Sequence, residues 1–134
     1  MFDTLDIGAS GLTAQRARMD TIAGNVANID TFQSNGPGTG PYQRRFVVLN
    51  QGTSDDPDGP GVHVQTINVD KSEGRKEYNP SHPFASPDGY VRYPNVDLSM
   101  ETVNMMEASR AYDADVSMME TTKSMITSSL RILA

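Results

Sequence analysis

Residues 98–133 read LSMETVNMMEASRAYDADVSMMETTKSMITSSLRIL, without a glycine or a proline. Along this run Leu98, Met105, Tyr112, Met119, Ile126 and Leu133 recur every seven residues, and Val116 and Leu130 fill the adjoining row. That spacing is the seam of an amphipathic helix. Thr102, Ser109 and Lys123 interrupt the second row, while Met118, Met125 and Ile132 broaden the stripe toward the carboxyl end. A broad stripe predicts packing against more than one neighbour. At 1.5 Å per residue, a helix over 97–133 is about 55 Å long. A chain of 134 residues cannot bury that length within itself.

A second helical segment lies at the other end of the chain, over residues 3–28. Leu5, Leu12, Met19 and Val26 keep the seven-residue spacing, and Ile22 and Ile29 each follow three residues behind the row. Asp3 is placed to cap this helix, with Asp6 three residues on as in a capping box. Gly8, Gly11 and Gly24 each cost about 1 kcal/mol relative to alanine in a helix interior, so the segment is marginal by itself.

Between the helices the composition changes. All eight prolines, and every glycine but those three, lie between Gly36 and Pro94. Two strands are expected there, over 42–49 and 62–69. The first alternates Tyr42, Arg44, Phe46 and Val48. The second slips from Val62 and Val64 to Ile67 and Val69, which predicts a bulge. Residues 52–61 read as an exposed loop.

Composition narrows the function. Only 37% of residues are apolar, low for a self-sufficient globule. The net charge of −6 argues against a nucleic-acid binder or a protein adsorbed to anionic membranes. By segment the charge is −2 over 1–31, −1 over 32–95 and −3 over 96–134, so no segment hides a basic excess. The absence of cysteine excludes disulfides, thiolate metal sites and a cysteine nucleophile. No stretch approaches the ~20 apolar residues of a membrane span, and the start lacks the pattern of a secretory signal.

The remaining candidates for chemistry are weak. Five of eight methionines fall within residues 100–119, but no histidine accompanies them at ligand spacing, so they read as packing residues. His63 and His82 have no nucleophile or carboxylate placed near them by the sequence. Asp113, Asp115 and Glu120 read as a solvated helix flank, with Glu107–Arg110 and Glu120–Lys123 as i,i+3 pairs. Gly36-Pro37-Gly38-Thr39-Gly40 lacks the Lys-Ser/Thr of a phosphate loop and reads as a connector. No catalytic, metal or cofactor site is expected, and the chain is not read as an enzyme.

Two stretches carry a family resemblance. Ala9-Ser10-Gly11-Leu12-Thr13-Ala14-Gln15-Arg16, continuing through Asp20-Thr21-Ile22-Ala23-Gly24-Asn25-Val26-Ala27-Asn28, resembles the amino-terminal signature of flagellar rod and hook proteins. Asp88-Gly89-Tyr90-Val91-Arg92-Tyr93-Pro94-Asn95-Val96-Asp97-Leu98, with Met105-Met106-Glu107-Ala108-Ser109-Arg110-Ala111-Tyr112, is similar to the short proximal-rod members of that family. Thr122-Lys123-Ser124-Met125 and Leu130-Arg131-Ile132-Leu133 fit the same pattern. The chain departs from it at Ile29-Asp30-Thr31 and at Ala114-Asp115-Val116.

The resemblance implies a structural subunit of the torque-transmitting rod in the periplasm, exported without a cleaved signal peptide through the flagellar type III apparatus. Its implied partners are copies of itself, other flagellar rod proteins, and the base or adaptor of the basal body, in a helical hetero-oligomer with no cofactor. The expected fold is mainly α with a small β-rich middle. Two long terminal helices, within 1–31 and 96–134, pack antiparallel as a coiled-coil hairpin, and a turn-rich β-hairpin is inserted over 32–95. Leu5, Leu12, Met19, Ile22, Val26 and Ile29 with Leu98, Met105, Tyr112, Val116, Met119, Ile126, Leu130 and Leu133 form the expected assembly interface. The competing classes are a soluble helical adaptor and, more remotely, an enzyme.

Overall fold

The computed structural model describes residues 2–33, 40–52, 55–56 and 59–134. The connector over 36–39 and the loop positions 53–54 and 57–58 lie outside the described residues.

Helix α1 spans Phe2–Ala27 and helix α2 spans Leu98–Leu133. Asp97 begins α2 from extended backbone, its carboxylate accepting the Ser99 and Met100 amides at 2.8 and 3.3 Å. Those are two of the amides that a helix start leaves unpaired. In α1 the expected cap is not formed. The helix starts one residue earlier, so Asp3 lies inside the first turn. There its charge faces the positive end of the helix dipole instead. At the other end Asn28 folds back, its side chain donating to the Gly24 carbonyl at 2.8 Å, and the chain leaves the helix through a turn.

The helices lie side by side and antiparallel. Gly8 sits under Met119, Gly11 faces Asp115, Arg18 reaches Glu107 and Asn25 meets Glu101. The two glycines permit this approach. A Cβ at Gly8 would stand 2.7 Å from Met119 Cγ, and one at Gly11 2.9 Å from an Asp115 carboxylate oxygen. Their cost in helix propensity is thus offset by helix contact. A Cβ at Gly24 would meet nothing within 4 Å, so no close approach compensates there.

The middle segment holds two hairpins where one was expected. Strands β1 (Arg45–Gln51) and β2 (Val62–Val69) pair antiparallel. Val48 opposes Thr66 while Leu49 opposes Val64, so Gln65 is the extra residue of the predicted bulge. The first strand begins later than its alternation suggested, because Tyr42 leaves the ladder to bury its ring and hydrogen-bond α1. Strands β3 (Lys76–Tyr78) and β4 (Tyr90–Arg92) form the second hairpin, too short to give a period-two signal. The β1–β2 ribbon lies along α1, with Arg45 at Asn25 and Val62 at Ser10. A satellite aromatic cluster joins Phe32 to His82, Phe84 and Tyr93 at ring distances of 4.7, 5.6 and 5.1 Å.

Candidate functional site

Assembly requires surfaces the chain does not satisfy internally, so its internal contacts come first. Among the described residues the buried core is small: Ala14, Ile22, Tyr42, Val91 and Ala108 are its hydrophobic members, with Asn25 and Glu101 its polar or charged ones. Along α1 the contact with α2 runs through Gly8, Gly11, Arg18, Met19 and Asn25. On α2 it runs through Glu101, Ser109 and Asp115, which lie off the main expected row, and through Met119, which lies on it. Small and polar residues make most of these contacts, which is why a search for large apolar residues passes over them. Asp115, read from sequence as part of a solvated flank, is half-buried against Gly11.

At the closed end the contact becomes a polar knot. Asn25 donates to the Arg45 carbonyl at 2.7 Å and to Glu101 at 3.1 Å. Its oxygen accepts the Tyr42 hydroxyl at 3.0 Å and the Arg45 amide at 2.9 Å. Both donor hydrogens and both acceptor sites of the amide are thereby used. Arg44 donates to the other oxygen of Glu101, which is fully buried. Asn95 then accepts the Arg44 amide at 2.6 Å and donates to the carbonyls of Asp70 and Ser72 at 2.9 and 3.0 Å. The Ser72 amide, then its hydroxyl, hold the Asp70 carboxyl below its ordinary range against desolvation, with the Arg44 charge assisting. One network thus ties α1, β1, the segment before α2, and α2 together. None of its members was singled out as a site residue from the sequence.

The expected interface residues take three positions. Ile22 is buried. Leu5, Leu12, Met19, Val26, Ile29, Met105, Tyr112, Val116, Met119 and Ile126 are half-buried. Leu98, Leu130 and Leu133 are exposed. The pairing of Gly8 with Met119 and of Gly11 with Asp115 sets where α1 runs out. Antiparallel helices advance residue for residue, so roughly the last two turns of α2 extend beyond α1. Met125, Leu130, Ile132 and Leu133 stand on that free end, at 65, 62, 85 and 84% exposure.

Charge on the helices is arranged otherwise than the local spacing suggested. Glu107 reaches across to Arg18 at 3.9 Å, not to Arg110, and no ion pair joins Glu120 to Lys123. Among the described residues no group of three or more His, Asp or Glu side chains is placed to hold a metal ion. No described helix is long and apolar enough to cross a membrane. His63 lies against the Gly52 carbonyl at 3.0 Å, and His82 accepts the Phe84 amide at 3.2 Å within the aromatic cluster. His63 is held on strand β2 and His82 in a turn.

Known proteins match both ends and the length between. Residues 5–32 match the family described as flagella basal body rod protein, and residues 88–132 the flagellar basal body rod FlgEFG protein C-terminal family. The chain is 39% identical to the flagellar basal-body rod protein FlgC of Borreliella burgdorferi, over 99% of this chain and 97% of that protein. It is 39% identical to the FlgC of Bacillus subtilis, over 98% and 97% respectively. To the FlgC of Aquifex aeolicus it is 38% identical, over 92% and 90%.

Proposed function

Because the chain belongs to the flagellar basal-body rod protein family, as a structural subunit of the proximal rod, we propose that it builds the rod through its terminal helices. Their outer faces and the free end of α2 are buried against neighbouring rod subunits. The observation that carries this reading is the unpartnered end of α2, where four large apolar residues face water. The accessible surface supports it. The chain exposes 9145 Å², whereas a compact monomer of 14.6 kDa exposes about 6,900 Å². Within that surface Met125, Leu130, Ile132 and Leu133 stand together on the free end of α2, and clustered apolar residues left in water mark a partner surface.

Unlike surfaces meeting head to tail give a helical stack and not a closed dimer. Coiled-coil contacts along the axis then resist sliding and twisting, as a shaft carrying torque requires. In this reading 1–31 and 96–134 form the axial part and 32–95 lies outboard. Leu98, Leu130 and Leu133 supply bare contact surface, and the half-buried Leu5, Leu12, Met19 and Val26 border it. The partners are copies of the chain and other rod proteins, with the base or adaptor of the basal body at one end. The flagellar export apparatus delivers the subunit to the periplasm. The chain acts as a scaffold, with no reaction of its own.

The test separates assembly from folding. Leu130→Asp combined with Ile132→Asp alters side chains exposed on the free end of α2. It is expected to leave the amount and helicity of the protein unchanged but to abolish rod incorporation and swimming. A charge at the exposed bulge residue Gln65 is the matched control. Normal swimming of the double variant defeats the proposal.

A further inference from the structure

Four of the eleven cationic side chains of this acidic chain, Arg45, Lys71, Lys76 and Arg92, line one open cleft of the middle segment. Lys76 on β3 and Arg92 on β4 are direct register partners. Two cations therefore stand side by side on one face of a two-stranded sheet, an arrangement that repels. Arg45 and Lys71 line the same open cleft, in which Glu73 is the single acidic lining residue. Glu73 pairs with Lys76 at 3.3 Å with both side chains well exposed, which offsets little of the excess. Among the described residues Arg45, Lys71 and Arg92 have no carboxylate in ion-pair contact.

The next pair on that face is aromatic. Tyr78 and Tyr90 are register partners, edge to face at 5.3 Å, and 65 and 49% exposed. Repelling cations beside bare tyrosines have the composition of a protein contact surface and not of a solvated one.

The complementary surface lies on α2 of the same sequence. Met106, Asp113 and Glu120 recur every seven residues, so they share a face in steps of about 10.5 Å. All three are exposed. They flank the rows that meet α1, and Asp113 and Glu120 have no ion-pair partner among the described residues.

We propose that the cleft bearing Arg45, Lys71, Lys76 and Arg92 receives the Met106–Asp113–Glu120 stripe of a second copy of this chain. The carboxylates meet the cations, and Met106 packs against the tyrosine pair. This rests on the helical-assembly reading above and adds to it an outboard contact between copies. Because the two surfaces differ, the contact repeats along the assembly. Exposed charge pairs of this kind decide partner and register more than affinity.

Charge exchange tests it in cells whose own copy is replaced. Arg92→Glu with Lys71→Glu is expected to stop swimming, as is Asp113→Arg with Glu120→Arg. All four changes in one chain restore swimming, which also establishes that the reversed residues permit folding. The chain has no cysteine, so Arg92→Cys with Glu120→Cys reports the contact directly. A short bis-maleimide, which adds one thiol at each end, is expected on isolated basal bodies to give a dimer-sized product and higher multiples of it. Wild-type swimming of either reversed pair overturns the proposal. So does failure of the combined chain, or a cross-link made only to a different protein. The Leu130→Asp, Ile132→Asp variant keeps the two readings apart. If it swims, helical assembly itself fails. If it stops while the reversed pairs swim, only the cleft contact does.

Discussion

Glu101 is a carboxylate with no exposed surface, held by Arg44 on one oxygen and by Asn25 on the other. A buried pair contributes little net stability against a well-packed apolar alternative, but breaking one is costly because its partner stays behind. Glu101→Ala would strand the Arg44 guanidinium, whose side chain is only 26% exposed, and one Asn25 donor. The expected loss is about 3 kcal/mol, measured as a lower urea midpoint followed by helicity. Glu101→Gln is expected to lose less, since its amide oxygen still accepts. Equal midpoints for wild type and the alanine variant would show the network to be idle. The value of such a knot is alignment. Sliding α2 by one turn would carry the buried Glu101 away from both Arg44 and Asn25, so the antiparallel register is set there.

At the scale of elements, the glycines of α1 separate into two kinds. Gly8 and Gly11 let α2 approach, whereas Gly24 faces open space within the chain. Gly24→Ala is expected to stabilise the helix of the isolated protein by about 1 kcal/mol. Gly8→Ala gains the same propensity but must displace Met119 from a position 2.7 Å from the new carbon, so no net gain is expected. Urea titrations of the two variants decide it, and a larger gain at Gly8 than at Gly24 would contradict the close approach. The short hairpins behave differently. Neither two-stranded sheet has a core of its own. The ribbon β1–β2 depends on α1, and β3–β4 on the buried Val91 and the cluster around Phe32.

For the whole molecule the consequence is graded order. Among the described residues the buried hydrophobic core is only Ala14, Ile22, Tyr42, Val91 and Ala108, and long helices without partners are marginal in water. In the dilute free chain the arms are expected to be only fractionally helical, folding fully as neighbours supply the missing surface. Amide exchange should be fastest in the last turns of α2, beyond the reach of α1, and slower near Asn25 and Glu101. Strong cooperative protection throughout Leu98–Leu133 would show that the arms fold unaided and end the coupled-assembly account.

Periodicity alone determined a great deal about this protein. The seven-residue spacing from Leu98 to Leu133, the proline-free flanks and the Gln65 bulge were legible because each is a local pattern that backbone geometry reads directly. The choice of α1–α2 contact rows was not legible. Gly8 and Gly11 carry almost no hydrophobic signal, and they matter only once a second helix lies against them. Asn25, Tyr42, Arg44, Asn95 and Glu101 are scattered over 77 positions of the sequence, and each alone reads as an ordinary surface residue. Only the tertiary structure decided that they meet. A polar group can be buried where its partners converge, and convergence is a property of the folded chain, not of any stretch within it.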